Sequence, residues 1–296
     1  MKRLAALAAL SLLLGGCTAD GGAPDEGPRT WLYLLTGYPE EGLAGLGTAA
    51  DFDHASFDHA VIDLARDGGE DYWTAEEVGG LRESGTAVYA YFSIGSIEDY
   101  RPEHDAVAAA GLALNRWEEW PDEHFVRYWD PQWWELAVRP RLDQAIAAGF
   151  DGVYLDVPNA YEEIDLALVP GETRDTLARK MAELVVAASD HAGDDLLILP
   201  QNAPELRAQP GYLDAIDGLG VEHLYYLDTH EPCDEDWCAE TLREVREIRD
   251  AGKLVLAVDY TEDPAERAEA CAHYRAEDFA GAVAGIDLDA PYEPCS

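Results

Sequence analysis

Positive charge is the scarcest resource in this chain. Only 20 Lys and Arg stand against 60 Asp and Glu, a net charge of −40 over 296 residues. So acidic a protein repels polyanions, which excludes nucleic acid and anionic membrane surfaces as partners. A cationic substrate fits the charge, but an acidic surface that merely keeps a protein soluble accounts for it more simply.

Several motifs are also missing. No G-x-G-x-x-G follows the first strand-like run, which removes the support for dinucleotide binding. There is no Walker loop, no H-E-x-x-H and no G-x-S-x-G elbow. No cysteine or histidine is placed as a nucleophile, no Ser–His pair is evident and no internal repeat is visible. Nothing in the sequence calls for a metal or an organic cofactor.

The apolar run at 5–14 is too short to span a bilayer as a mature helix, but it has the length of a signal-peptide core. Lys2 and Arg3 precede it, and Leu14-Gly15-Gly16-Cys17 closes it. That ending resembles the bacterial lipoprotein box, which implies cleavage before Cys17 and lipidation of its thiol. Residues 1–16 are therefore expected to be a leader. Residues 17–29, rich in Gly, Pro and acidic side chains, are expected to be a lipidated disordered tether. The protein would be exported to the outer face of the cell membrane and touch it only through the lipid. Four cysteines remain, and in an exported chain an even number implies disulfides. Cys233 with Cys238 and Cys271 with Cys295 is the simplest pairing. A zinc site is the weaker alternative, because the spacing matches no usual metal knuckle.

From residue 30 to 296 a strand-then-helix rhythm sets in. Short β-branched or aromatic runs bounded by Gly, Pro or Asp predict strands at 31–36, 59–64, 87–94, 152–157, 196–200, 220–226, 254–260 and 282–286. Most are continuously apolar, as parallel strands covered on both faces should be. Leu177, Met181, Leu184, Val185 and Ala188 share one helical face. Gly149, Gly193 and Gly252 stand where helices should end, and Pro264 where one should begin. Pro140 predicts a kink or break within 133–148. Eight strands alternating with helices predict an α/β fold, a single (β/α)8 TIM barrel, with an open doubly wound sheet as the alternative. Residues 96–131 are expected to be an elaborated loop above it. Of the tryptophans at 117, 120, 129, 133 and 134, some should be core and one or two should line a sugar cleft.

Active sites of such barrels gather at the C-terminal strand ends. The polar residues expected there are Asp63, Tyr91, Ser93, Glu98, Arg101, Tyr154, Asp156, Gln201, Asn202, Glu222, Tyr225, Asp259 and Tyr260. Carboxylates dominate, with amides and phenols around them. Paired carboxylates suit glycosidic cleavage: one protonates the leaving oxygen, and the other attacks the sugar or activates water. Asp156 ends an apolar strand that Pro158 stops, which also fits a helix cap or a structural ion pair. Glu222 sits among apolar neighbours. A raised pKa there would suit a general acid, and a buried pair, for example with Arg101, is the structural alternative.

Four segments then resemble one family: V-Y-A-Y-F-S-I-G-S-I-E-D-Y-R at 88–101, F-D-G-V-Y-L-D at 150–156, Q-N at 201–202 and G-V-E-H-L-Y at 220–225. In order and position they resemble glycoside hydrolase family 114, the endo-α-1,4-polygalactosaminidase-like enzymes. The resemblance implies a (β/α)8 barrel that cuts α-1,4-linked galactosamine polymers, cationic when deacetylated. It implies Asp156 and Glu222 as the catalytic pair, with no metal and no cofactor. Of the other strand-end residues, Asp63, Tyr91, Ser93, Glu98, Arg101, Tyr154, Asn202, Tyr225, Asp259 and Tyr260 are expected to bind substrate. Two departures bear on the substrate. Ser96 follows Gly95 where relatives carry Glu, and Asn159 replaces a second Asp. The alternative function is a surface lipoprotein that binds sugar without cutting it.

Overall fold

The computed structural model describes residues 29–39, 43, 57–227 and 231–295. The leader, Cys17 and all of the tether except Arg29 lie outside these residues.

Eight parallel strands form the centre. Five pair in the order Trp31–Leu34, His59–Asp63, Ala87–Ser93, Gly152–Asp156 and Leu197–Pro200. The other three are Gly218–Glu222, Leu254–Tyr260 and Ala280–Ala284, with the second of them in the middle. Nearly every residue of these strands is buried, which explains their uninterrupted apolar character. The expectation of one closed ring is met only in part. Single parallel bridges, Thr30 with Gly281 and Gln201 with Gly220, stand at the two seams in place of full ladders. At the second seam the cause is local: Asn202 and Ala203 adopt left-handed φ values of 63° and 51°, which ends strand pairing just after Gln201.

The sixth and eighth strands each begin two residues earlier than expected. The sixth ends at Glu222, not at Tyr226, because His223 turns left-handed with φ 58°. Gly218 and Gly220 therefore belong to the strand, and they are needed there. A Cβ on Gly220 would fall 1.9 Å from the Tyr154 hydroxyl.

Helices cover the strands where the periodicity predicted. Arg174–Ala192 buries Leu177, Met181, Leu184, Val185 and Ala188. Removing the side chain of Leu177, Met181, Leu184 or Val185 would forfeit roughly 1.5–3 kcal/mol of burial. The break foretold by Pro140 is present: a π-helical turn, Trp134–Val138, precedes an α-helix, Arg139–Ala148, with Pro140 in its first turn. There the missing N–H of proline costs nothing. Gly149 caps that helix at φ 78°, and Pro264 opens the helix Pro264–Glu277.

The largest correction concerns 96–131. It is not an irregular loop. Ser96–Glu98, Glu123–Val126 and Ala113–Arg116 form a three-stranded antiparallel ribbon in that order, with a short helix, His104–Ala109, between the outer strands. Its strands are short and half polar, so their pairing left little periodic signal. Both disulfides form as the simplest pairing required, Cys233–Cys238 and Cys271–Cys295. Among the described residues, no helix is long and apolar enough to cross a membrane.

Candidate active site

The site grows out of the strand ends. Within the sheet, Trp31, Tyr33 and Tyr154 pack ring to ring, with centroids 5.3–6.3 Å apart, and Tyr91 adjoins Tyr33 at 6.2 Å. This aromatic floor carries the two expected carboxylates, one on each side.

Asp156 ends the fourth strand beside Ser93 of the third. Its Oδ2 accepts from the Tyr91 hydroxyl at 2.5 Å, and its Oδ1 from the Val157 N–H at 2.8 Å. Val157 has a φ of 57°, a left-handed conformation that a β-branched residue rarely adopts. Such a residue costs roughly 1–3 kcal/mol and persists where the surroundings enforce it. Here it bends the chain away as the carboxylate stays in the cleft. Gly95 permits the bend, since a Cβ there would lie 2.1 Å from the Val157 carbonyl oxygen. Burial, and then the charge of Glu222, push the Asp156 carboxyl up to about 7, against the pull of the Tyr91 and Val157 hydrogen bonds.

Glu222 ends the sixth strand in a different setting. Its Oε2 accepts from the amides of Gln201 and, at 2.9 Å, Asn202; its Oε1 accepts from the Tyr260 hydroxyl. Asn202 also takes the Glu222 N–H on its own Oδ1 at 3.0 Å, so the amide's orientation is set. Gln201 in turn receives the Tyr33 hydroxyl at 2.9 Å. Every donor in this cage is neutral. Burial first, and then the adjacent carboxylates, drive the Tyr91 and Tyr260 phenols far above their ordinary value, so both remain protonated donors.

The structure thus brings together Asp156, Tyr91, Glu222, Asn202, Tyr260 and Tyr154, whose buried hydroxyl has no partner. Other expected residues are engaged with one another. Arg101 clamps Asp63 through two nitrogens at 3.0 and 2.8 Å and reaches Glu98 at 2.8 and 3.0 Å. All three side chains are at most 5% exposed. Arg101 is therefore the partner of Asp63 and Glu98, and not of Glu222. Burial alone would raise Glu98, but the guanidiniums of Arg101 and Arg141 outweigh it and hold the carboxyl below its usual range. Asp259 is fully buried and accepts from Tyr274 at 2.6 Å and from the Tyr225 N–H at 3.2 Å. The Tyr225 ring stacks on His273, 4.4 Å away. Ser93 is fully buried with no partner for its hydroxyl.

Two residues escaped the sequence reading of the site. Gln201 had been noted as a strand-end amide, yet its bond to Glu222 depends on the strand register. Glu123 lay in the stretch read as a loop. The ribbon sets it opposite Glu98, and the Ser96 hydroxyl donates to it at 2.9 Å. Burial, and then the charges of Glu98 and Asp156, push its carboxyl up to about 9. The tryptophans divide differently from the expectation of a cleft. Trp133 is buried and donates to the Ile94 carbonyl at 3.0 Å. Trp129 and Trp134 line a cavity of about 420 Å³ with Tyr128, Lys180 and Glu183, none of which touches either catalytic candidate.

An uncharacterized protein of Deinococcus radiodurans is 33% identical over 265 residues, 88% of this chain and 81% of its own. One from Thermotoga maritima is 32% identical over 81% of this chain and 73% of its own. The glycoside hydrolase domain of PelA from Pseudomonas aeruginosa superposes with a TM-score of 0.68 at 21% identity, covering 90% of this chain and 98% of that domain. Aspergillus fumigatus Ega3, solved in complex with galactosamine, superposes at 0.67 with 18% identity, covering 88% and 93%. At such identities these two establish likeness of fold. The sequence model of one family spans residues 17–296, and by that match the chain belongs to glycoside-hydrolase family GH114.

Proposed function

We propose that this glycoside hydrolase cleaves α-1,4-linked, galactosamine-containing polysaccharide, with Asp156 and Glu222 as its catalytic pair. The observation that carries the reading is the placement of these carboxylates. They end the fourth and sixth strands, near enough for one charge to raise the other's pKa, yet each has a separate set of donors. Burial and the neighbouring charge favour a proton on Asp156 near neutral pH, and glycosidic cleavage requires one protonated and one ionised carboxyl. The protonated member gives its proton to the leaving oxygen. The ionised member attacks the anomeric carbon or takes a proton from the attacking water. Tyr91, Asn202 and Tyr260 would keep the two carboxylates in place, and Glu123, protonated near neutral pH, could donate to a sugar hydroxyl or accept from an amine.

The polymer class rests on the family and on Ega3, which was solved with galactosamine. The net charge of −40 suits a polymer carrying free amines. The eight parallel strands and the bridges at both seams support a (β/α)8 barrel that closes through those bridges. The leader and Cys17 support export as a lipoprotein on the outer face of the cell membrane.

The test is incubation with acetylated and deacetylated α-1,4-galactosamine polymers and unrelated polysaccharides, with products followed by mass spectrometry. Oligosaccharides should appear from the galactosamine polymers with the wild type and not with folded Asp156→Asn or Glu222→Gln. Binding of polymer by all three proteins with no product from any of them would replace the hydrolase reading with a sugar-binding one.

A further inference from the structure

The antiparallel ribbon has two faces. Side chains alternate along a strand, so Glu98 and its partner Glu123 share one face, toward Asp156, and His124 with Asp99 belongs to the other. On that second face Asp99 meets two imidazoles, His124 from the ribbon and His104 from the start of the short helix. None of the three belongs to the surroundings of Asp156 or Glu222.

The geometry points to a site for a divalent transition-metal ion of the zinc class, ligated by Asp99, His104 and His124. Asp99 Oδ1 lies 3.3 Å from His104 Nε2 and 3.4 Å from His124 Nδ1. These separations are long for a charge-assisted N–H···O bond, which closes to ~2.7–2.9 Å. They match the edge of a tetrahedron: ligand bonds of ~2.0–2.1 Å around zinc place neighbouring donors ~3.3–3.4 Å apart. One donor atom from each of the three residues fits within 4.8 Å of the others. The two rings are tilted by 42° with centroids 6.3 Å apart, so they converge on Asp99 without stacking on each other.

Three further details agree. His124 Nδ1 is buried and lacks any hydrogen-bond partner, the condition of a nitrogen that awaits a ligand. The other nitrogen of His104, Nδ1, faces the exposed Asp105 carboxylate at 3.4 Å, so Nε2 is the nitrogen turned toward Asp99. Arg116 reaches Asp99 through Oδ2 at 3.5 Å, which leaves Oδ1 to the ion. Two imidazoles and one carboxylate suit zinc, and they select against calcium and magnesium, which take all-oxygen sets. Three protein ligands leave the fourth position to water. The ion would tie the ribbon to the short helix and so hold Glu98 and Glu123 in place from behind.

The test uses the exported chain with its disulfides intact, stripped of metal by EDTA and gel filtration. Zinc is titrated against a chromogenic chelator, and cobalt is added separately to read the coordination number from its visible spectrum. One saturable equivalent of zinc, a four-coordinate cobalt spectrum and a raised melting midpoint are expected, none of them displaced by millimolar calcium. His104→Ala and His124→Ala should each weaken zinc binding by more than the roughly 10–100-fold that loss of an outer-shell partner costs. Asp99→Asn, at a more exposed position, should do the same and serves where a histidine variant misfolds. Uptake that never saturates, or that is equal in wild type and variants, would mark counterions on an acidic surface and overturn the site. So would failure of the wild type to compete with the chelator.

Discussion

Asp156 and Glu222 occupy similar positions at the ends of two strands, but the protein treats them differently. The Glu222 side is neutral, with two amides and a phenol converging on one carboxylate. The Asp156 side is ionic. Beyond Asp156 lie Glu123, Glu98, Arg101 and Asp63, and two arginines serve that cluster of acids. The difference teaches that two strand ends of one sheet can surround their carboxylates in unlike ways, neutral donors about Glu222 and charged groups beyond Asp156. Burial, and then the charge of Glu222, favour the proton on Asp156.

The strongest way to break the comparison is to neutralise either carboxylate. Asp156→Asn and Glu222→Gln should each lower kcat by roughly 10³-fold, measured on the polymer that proves to be cleaved. If only one substitution has this effect, the two are not a catalytic couple.

Next in size is the buried ion cluster. Arg101→Met leaves Asp63 and Glu98 buried without their guanidinium, and should cost about 3–5 kcal/mol in urea unfolding. Asn202→Ala, on the neutral side, should cost about 1–3 kcal/mol. Equal costs would erase the distinction between the two sides.

Third is the dependence of stability on pH. The folded-state value of Asp156, about 7, is above its ordinary 3.8, so the folded protein keeps a proton that the unfolded chain has released. The stability tied to that proton is complete below about pH 4 and is lost as pH rises through about 7. The loss is on the order of 2–4 kcal/mol. Asp156→Asn removes this slope. It should match the wild type near pH 4 and melt at a higher temperature at pH 8, and Glu222→Gln, which removes one cause of the raised value, should only reduce the slope.

The smallest effect separates the two phenols. The Tyr91 hydroxyl lowers the pKa of Asp156, so Tyr91→Phe should move the corresponding limb of the kcat/KM profile upward by up to about one unit. Tyr260→Phe, whose lost hydroxyl donates to Glu222 and not to Asp156, should leave that limb in place.

The parallel strands were legible because strands buried on both faces must be apolar along their whole length, and Gly, Pro or Asp marks their ends. Leu254–Tyr260 has the predicted boundaries, and Asp156 and Glu222 could be picked out as acids that terminate such runs. The ribbon was not legible. A segment such as Glu123–Val126 is a strand only because Ser96–Glu98 and Ala113–Arg116 lie beside it. With it went Glu123, a buried carboxylate that feels the charge of Asp156. Asp63, Glu98 and Arg101 were visible as polar residues at strand ends, but nothing in their order showed that they would satisfy one another.

The linear order of residues by itself determined the family, the eight strands and the main helical faces, because each is written in local pattern, spacing or motif, whereas it left three disulfide pairings open and the structure chose the simplest. Only the tertiary structure decided which acids meet solvent and which meet arginine, that Gln201 and Asn202 turn toward Glu222, and that Asp99, His104 and His124 converge on one point. Electrostatic partnership is a matter of ångströms between residues far apart in sequence, such as Asp63 and Arg101, and no local pattern encodes that distance.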